Sequence, residues 1–285
     1  MVATAASVPV SGPRTFAGLS LARPLVMGVI NVTPDSFSDG GDVAGESAIA
    51  RGRQMLDEGA DVLDIGGEST RPGAAPVPVD EEIARIIPVV TALSRMGTVV
   101  SIDTRKAAVM RAAVDAGATI INDVTALEGE PDSLDVAART GACVILMHMQ
   151  GEPGTMQQNP TYADAPAKVR DYLAARVDAC VAAGIPREKI AVDPGIGFGK
   201  NLDHNLQIIA RLEELAAIGC PVLLGTSRKS FIGHIAGETD AKKRLPGSLA
   251  SVLAGVMRGA DILRVHDVAE TVQALAVFSA IEDVR

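Results

Sequence analysis

The sequence predicts a single-domain α/β fold, a (β/α)8 TIM barrel. Three observations lead to this prediction. A short apolar run ending in a polar or glycine-rich break occurs eight times, a helix-length segment follows each run, and a glycine precedes each of the last seven runs. Runs that are apolar throughout are typical of parallel strands buried on both faces. Eight units of similar length favour closure into a barrel over an open doubly wound sheet.

The eight predicted strands consist mostly of small or branched apolar residues. They span residues 25–30, 62–65, 99–102, 119–121, 144–147, 190–192, 222–224 and 262–264. Aromatic residues make up only 2% of the chain and Trp is absent, so Ala, Val, Ile and Leu must build the core. The breaks after the runs would all lie at the carboxyl ends of the strands, where active sites of such barrels are found.

Eight helices are predicted after these strands, over residues 47–58, 80–96, 105–116, 131–139, 165–183, 204–217, 244–258 and 267–284. We expect Thr104 to cap the third helix, and Asp267 with Glu270 to form a capping box on the eighth. The glycines that precede the runs occupy positions typical of left-handed residues after a helix: Gly59, Gly97, Gly117, Gly141, Gly184, Gly219 and Gly259.

Residues 1–22 are predicted to precede the barrel, which we place at 23–285. The first twenty residues are rich in Ala, Ser, Val and Pro, and they lack the charged start and apolar block of a signal peptide. We therefore expect a disordered lead or a short cap on the bottom of the barrel. No apolar stretch reaches the roughly 18 residues that span a bilayer, so no membrane partner is expected.

Composition limits the function further. The 285 residues carry 26 basic and 35 acidic side chains, a net charge of −9, which argues against a nucleic-acid partner. Local basic side chains can still bind an anionic substrate. Cys143, Cys180 and Cys220 are far apart and form no metal-binding pair, so we expect free thiols and a cytoplasmic protein. The four histidines show no zinc-binding spacing.

Strand alternation predicts which polar side chains point into the mouth of the barrel. In residues 99–103 the second and fourth positions form the apolar, helix-facing side, so Asp103 points inward. The same argument turns Asn31, Asn122 and Asp193 inward. Carboxylates buried there need N–H donors, which an aminopurine, a pterin or an amino sugar would supply. The alternative is that Asp103 caps a helix and Asp193 shapes a turn.

Basic residues follow the last two predicted strands. Ser227, Arg228 and Lys229 come after the seventh run, and Arg264 and His266 end the eighth. Loops at these two places are a recurrent phosphate site of this fold, so we expect an anionic substrate group there. The alternative is a set of ordinary exposed charges. Lys229 would either donate hydrogen bonds to a heteroatom ring or form a Schiff base.

The glycine-rich loop at residues 193–200 does not fit a nucleotide-binding loop. Its lysine is followed by Asn201 where that motif requires Ser or Thr. We expect the glycines to admit a flat ring, with Phe198 as a wall.

Three long connections, 31–46, 66–79 and 148–164, all follow strands, and we expect them to bind or cover a ligand. Magnesium usually has few protein ligands, so an ion held by Asn31 and substrate oxygens is compatible with this arrangement.

Several segments resemble signature motifs of one enzyme family. Residues 27–41 (MGVINVTPDSFSDGG) and 66–73 (GGESTRPG) resemble the first and second signatures of the dihydropteroate synthases. Shorter motifs match in the same order at residues 101–104, 121–123, 193–198, 225–230 and 264–267. The resemblance extends from Arg23 to the C-terminus, with no departure at a functional position.

The resemblance implies a transferase of folate biosynthesis. Such an enzyme joins 7,8-dihydropterin-6-ylmethyl diphosphate to 4-aminobenzoate, and it releases 7,8-dihydropteroate and diphosphate by an SN1-like path. It also implies bound Mg²⁺, a homodimer and a sulfonamide target.

Individual roles are implied by the same resemblance. The pterin diphosphate would be bound by Thr70, Asp103, Asn122, Met147, Asp193, Phe198, Gly225, Lys229, Arg264, Val265 and His266. The 4-aminobenzoate would be bound by Phe37, Arg71, Pro72 and Ser227. Asn31 would be the metal ligand, and the catalytic residues would be Asp35, Asp103 and Lys229.

Three other functions are alternatives to this one. A methyltetrahydrofolate–corrinoid methyltransferase has a similar pterin-binding barrel, a Schiff-base aldolase would use Lys229, and a non-catalytic paralogue would only bind pterin. The complete motifs at residues 31–41 and 227–230 favour the synthase.

Overall fold

The computed structural model describes residues 14–32, 42–69, 76–151 and 155–284. A short hairpin of β1 (Thr15–Phe16) and β2 (Leu19–Ser20) precedes eight parallel strands. These are β3 (Leu25–Asn31), β4 (Val62–Gly66), β5 (Val99–Asp103), β6 (Ile120–Asp123), β7 (Cys143–Met147), β8 (Ile190–Asp193), β9 (Leu223–Leu224) and β10 (Ile262–Val265).

The parallel strands close into the predicted barrel. Their order is β8-β7-β6-β5-β4-β3-β10-β9, and a parallel bridge between Val192 and Val222 joins the two ends of the sheet. Consecutive strands are neighbours throughout, as expected when right-handed crossovers connect parallel strands.

Ten α-helices are found in the described part of the chain. They are α1 (Asp42–Asp57), α2 (Val79–Ser94), α3 (Ala107–Asp115), α4 (Ser133–Thr140), α5 (Ala165–Ala182), α6 (Leu202–Ala210), α7 (Glu213–Ala216), α8 (Ser230–Ala236), α9 (Leu245–Val256) and α10 (Val268–Glu282). The segment predicted as one helix at 204–217 is divided into α6 and α7. The short helix α8 was not predicted. None of the described helices is long and apolar enough to cross a membrane.

Two apolar layers separate the strand faces. Alternate strand residues such as Val100 and Ile102 pack against the helices, while Met27, Ile120 and Ile145 fill the barrel interior. The predicted strand alternation is therefore confirmed, and polar residues on the interior face are directed into the barrel.

The β1–β2 hairpin covers the amino-terminal end of the barrel. Phe16 is buried in the interior layer. Arg14 pairs with Asp261, whose carboxylate also accepts the N–H of Val222 at 2.9 Å. These contacts attach the hairpin to the strands. Residues 1–13 lie outside the described residues, and the domain boundary after residue 22 stays a prediction.

Neither predicted side-chain cap forms, although Asp267 is the N-cap residue of α10. The N-cap of α3 is Lys106, and the hydroxyl of Thr104 donates instead to Glu82 at 2.8 Å. Asp267 precedes α10, but its carboxylate binds Arg228 and makes no cap hydrogen bond. The carboxylate of Asp267 is thus paired with a residue distant in sequence, whereas Thr104 Oγ1 still accepts the N–H of Lys106 at 3.3 Å, just before α3. The seven predicted left-handed glycines are confirmed, each with positive φ.

Candidate active site

Strand register brings four strand ends into one row at the carboxyl end of the barrel. Asn31 is paired with Gly66, Gly66 with Asp103, and Asp103 with Asn122. The alternation of each strand directs these positions toward the barrel axis. Two predicted inward residues, Asp103 and Asn122, are therefore neighbours.

A buried carboxylate that was not predicted lies beneath this row. Asp64 on β4 is fully buried, accepts a hydrogen bond from Asn122 Nδ2 at 3.2 Å, and accepts another from Arg264 Nε at 2.6 Å. Arg264 also donates from Nη2 to Asp103 at 2.6 Å. One guanidinium thus orients two carboxylates. The signal in the sequence was a single charged residue inside the otherwise apolar run 62–65.

The carboxyl group of Asp103 is a weaker acid than usual in this cluster. The pKa of Asp103 is raised to about 7, chiefly by burial; the charge of Arg264 opposes this shift and the charge of Asp64 adds to it. Two carboxylates that share one guanidinium cannot both remain ionised cheaply in a buried site. Asp103 therefore exchanges a proton near neutral pH.

Asp193 occupies the end of β8 and shapes the loop that follows. Its Oδ1 accepts the N–H of Gly195 at 2.7 Å, which is the turn role foreseen as the alternative. Burial raises the pKa of Asp193, and the charge of Lys229 and the Gly195 hydrogen bond oppose this shift. The residue is thus both a turn former and an acceptor near a lysine.

Lys229 lies over the ring of Phe198. Its Nζ is 4.9 Å from the ring centroid and donates to the carbonyl oxygen of Ile196. Burial lowers the pKa of Lys229 to about 8, Asp193 opposes the shift, and Arg264 adds to it. The predicted hydrogen-bond donor, Lys229, and the predicted flat wall, Phe198, are therefore next to each other.

The last two predicted barrel strands bring Ser227 and His266 together. The N–H of His266 donates to Ser227 Oγ at 3.2 Å, and His266 Nδ1 is 3.0 Å from the same oxygen. Arg228, by contrast, pairs with Asp267, so it braces the loop and is not the anion ligand that its position suggested.

Two other predicted residues, Met147 and Gly225, lie near these strand ends. Met147 is buried and is paired with Asp193 across β7 and β8, and a Cβ on Gly225 would lie against Arg264. Val265 faces the opposite way, into the helix-facing core, so its side chain does not line the cavity. A ligand contact there would be limited to the backbone.

Five predicted site residues lie outside the described residues: Asp35, Phe37, Thr70, Arg71 and Pro72. Asn31 ends β3 at the cavity rim. Within the described ranges, no group of three or more His, Cys, Asp or Glu side chains is arranged to hold a metal ion.

Comparisons with known proteins first define the class. The profile of the family described as pterin binding enzyme matches residues 27–266. Dihydropteroate synthase of Escherichia coli (strain K12) is 50% identical over 264 residues, which cover 92% of this chain and 93% of the relative.

Solved structures of dihydropteroate synthases are also similar to this chain. The Xanthomonas albilineans dihydropteroate synthase with 4-aminobenzoic acid has a TM-score of 0.88 and 50% identity, covering 93% of this chain and 96% of the other. Another structure of that Xanthomonas albilineans protein, with 7,8-dihydropteroate, has a TM-score of 0.85, 47% identity and coverages of 93% and 95%. The Yersinia pestis synthase with a sulfonamide drug complex has a TM-score of 0.88, 48% identity and coverages of 93% and 96%.

The chain belongs to the dihydropteroate synthase family of pterin binding enzymes. It is an enzyme of the transferase class, and the family prediction made from the motifs is confirmed.

Proposed function

We propose that this chain condenses 7,8-dihydropterin-6-ylmethyl diphosphate with 4-aminobenzoate, giving 7,8-dihydropteroate and diphosphate. The observation that carries the proposal is the convergence of acceptors and cations at the strand ends, in a chain 50% identical to a dihydropteroate synthase. Related structures hold 4-aminobenzoic acid and 7,8-dihydropteroate.

The pterin would be held by the acceptor side of the cavity. Asp193 and Asn122 offer oxygens to the 2-amino and ring N–H groups, and a carboxylate can accept two of these hydrogen bonds together. Lys229 would donate to a ring heteroatom, since its Nζ lies over the Phe198 ring and is attracted by the charge of Asp193. Gly225 and Met147 would lie against the faces of the ring.

The reaction would proceed by loss of diphosphate before attack. The C–O bond breaks with its electron pair leaving on the diphosphate, and the lone pair of the arylamine then forms the C–N bond as the amine loses a proton. Arg264 and His266 would bind the leaving group. The ionised form of Asp103, positioned by Arg264, would stabilise the cationic ring.

Asn31 would hold Mg²⁺ together with the diphosphate and water. An amide oxygen at the rim fits an ion that usually takes only one or two protein ligands. When bound, Mg²⁺ supplies positive charge that stabilises the leaving diphosphate.

Ser227 would contact the 4-aminobenzoate, next to His266. The parts proposed for Asp35, Phe37, Thr70, Arg71 and Pro72 rest on the sequence motifs alone. A sulfonamide would compete for the same place, as the drug complex of the Yersinia pestis relative suggests.

The proposed assembly is a homodimer, formed through α9 and α10. Met257, Val277 and Ile281 on this face are 66%, 59% and 60% exposed, which is unusual for large apolar side chains of a monomer. The cytoplasmic location also stays a proposal, with which three buried free cysteines are compatible.

Product formation tests the function. The purified chain, incubated with both substrates and Mg²⁺ but without any cobalamin protein, should form 7,8-dihydropteroate detectable by mass spectrometry. Binding of the pterin diphosphate without product would favour the non-catalytic paralogue. Methyl transfer only with a corrinoid protein would favour the methyltransferase, and borohydride trapping at Lys229 would favour the aldolase.

A further inference from the structure

Lys200 is a buried lysine that the proposed reaction does not use, and burial lowers the pKa of its amine well below the usual value, against the charge of Asp193. It ends the loop between β8 and α6 and is 2% exposed. Its Nζ is 3.0 Å from the carbonyl oxygen of Phe198, 3.1 Å from that of His148 and 2.9 Å from His148 Nδ1. In its protonated form the amine has three donors and no acceptor, so these three acceptors satisfy it completely. A buried lysine with this arrangement needs a structural or functional reason.

The histidine beside Lys200 is a neutral imidazole, with Nδ1 directed at the lysine amine. Burial, with the charge of Lys200, lowers the pKa of His148 to about 3, so the imidazole is neutral at pH 7. Its ring packs edge-on against Tyr172, with centroids 5.0 Å apart. A neutral ring that accepts at Nδ1 carries its proton on Nε2. The ring thus presents a lone pair, not a competing donor, to Lys200.

The loops that Lys200 connects are in direct backbone contact. Gly195 and Gly199 both have left-handed φ, and a Cβ on either would collide with a carbonyl oxygen of the segment after β7, that of His148 or of Gln150. Tyr162 Oη donates to the Gly199 carbonyl at 2.8 Å. At these two glycines the backbones of the two loops meet directly, and hydrogen bonds that cross between the loops help to fix their relative position.

We propose that Lys200 is a positioning residue of the pterin pocket, because it ties the carbonyl of Phe198 to that of His148. Phe198 is a wall of the pocket, and His148 directly follows Met147, another wall. The inference rests on the proposed function, which makes these residues contacts of the pterin. Without the lysine, the loop that carries Phe198 would lose its side-chain tie to the His148 carbonyl, while the strand pairing of Asp193 with Met147 would remain.

Lys200→Met tests this role, because methionine keeps the apolar length and removes all three donors. We expect the KM for the pterin diphosphate to rise about tenfold or more, and the KM for 4-aminobenzoate to change less than about twofold. The matched control is Lys189→Met, which removes a lysine that donates to the Gly141 carbonyl at 2.7 Å at the other end of the barrel. It should leave both KM values unchanged.

A folded Lys200→Met variant with an unchanged KM for the pterin diphosphate would overturn the role, and so would an equal rise in both KM values. If Lys200→Met does not fold, His148→Leu and His148→Asn replace it. Loss of the acceptor in His148→Leu should raise the KM for the pterin diphosphate, and the acceptor restored in His148→Asn should recover most of it. Equal values in the two variants would contradict the proposal.

The outcome separates this inference from the proposed function. A wild-type chain that forms no 7,8-dihydropteroate would overturn the function and the role of Lys200 together. An active wild type with an unaffected Lys200→Met variant would overturn the role of Lys200 alone.

Discussion

Arg264 donates from Nε to Oδ2 of the fully buried Asp64 over 2.6 Å, inside the barrel. The same guanidinium reaches Asp103 on the neighbouring strand β5. Asp64 therefore sets the plane and position of a cation that the proposed reaction uses twice, to orient Asp103 and to bind diphosphate. A residue with no ligand contact of its own can in this way control the site.

Asp64→Asn should impair the reaction with little change in shape. The amide keeps an acceptor for one partner but removes the charge that holds Arg264 and repels Asp103. We expect kcat/KM for the pterin diphosphate to fall about tenfold or more. The acid limb of the pH–rate profile should also move to lower pH, because Asp64 raises the pKa of Asp103. Unchanged kinetics and an unmoved acid limb would refute this role.

Asp193 variants separate its turn role from its ligand role. Asp193→Asn can still accept the Gly195 N–H at Oδ1, whereas Asp193→Ala removes that bond. Calorimetric titration with the pterin diphosphate should show no binding for Asp193→Ala and a large loss of affinity for Asp193→Asn, which should melt like the wild type. Wild-type affinity in Asp193→Asn would leave Asp193 as a turn former only.

Arg228 has a left-handed backbone, φ 61°, although it is not glycine. Its side chain pairs with Asp267, and its N–H donates to Ser248 at 2.9 Å. Arg228→Ala and Arg228→Gly both lose the ion pair, but only alanine keeps the backbone strain. In urea unfolding we expect the glycine variant to be the more stable of the two by about 1 kcal/mol. A glycine variant less stable than the alanine variant would contradict this account of the strain.

His148 should make the protein less stable in acid. Its pKa is about 3 in the folded chain and about 6.5 in the unfolded chain, so below pH 6.5 the unfolded chain binds a proton that the folded chain does not. The free energy of unfolding contributed by His148 therefore falls as pH drops from 6.5 toward 3, by at most about 1.4 kcal/mol per pH unit.

His148→Asn cannot titrate in this range. Its stability relative to the wild type should therefore improve steadily as the pH is lowered, when urea unfolding is measured at several pH values. A stability difference that is independent of pH would show that the imidazole is not held neutral.

Most of the fold could be predicted from local sequence patterns, and the candidate site could be predicted in part. The eight apolar runs and the alternation within residues 99–103 were enough to place Asp103 inside the barrel, because strand geometry fixes which side each residue faces. The same reasoning did not identify Asp64 as a site residue, because Asp64 lies within an apolar run that was considered only as part of the core. Its partner, Arg264, is 200 residues away in the chain.

The errors have a common physical origin. Asp267 and Thr104 had the right types for helix caps, but the fold brings other partners near: the Asp267 carboxylate accepts from Arg228, and the Thr104 hydroxyl donates to Glu82. Val265 faces the helices because its neighbour Arg264 faces the interior, so its contact with the pterin diphosphate stays a prediction that only its backbone can meet. Tertiary partners of this kind are not encoded in any local window of sequence. The family motifs supplied the substrates, which geometry alone left as a pterin, an aminopurine or an amino sugar.

The most direct test of the account is diphosphate release, measured with and without 4-aminobenzoate for the wild type and for Asp103→Ala. The wild type should release diphosphate in step with 7,8-dihydropteroate, and far faster when 4-aminobenzoate is present. Asp103→Ala should stay folded and lose most of kcat, while Asp115→Ala, an exposed aspartate on α3, should behave as the wild type. Diphosphate release that does not depend on 4-aminobenzoate would contradict the account, and so would a near-normal kcat in Asp103→Ala.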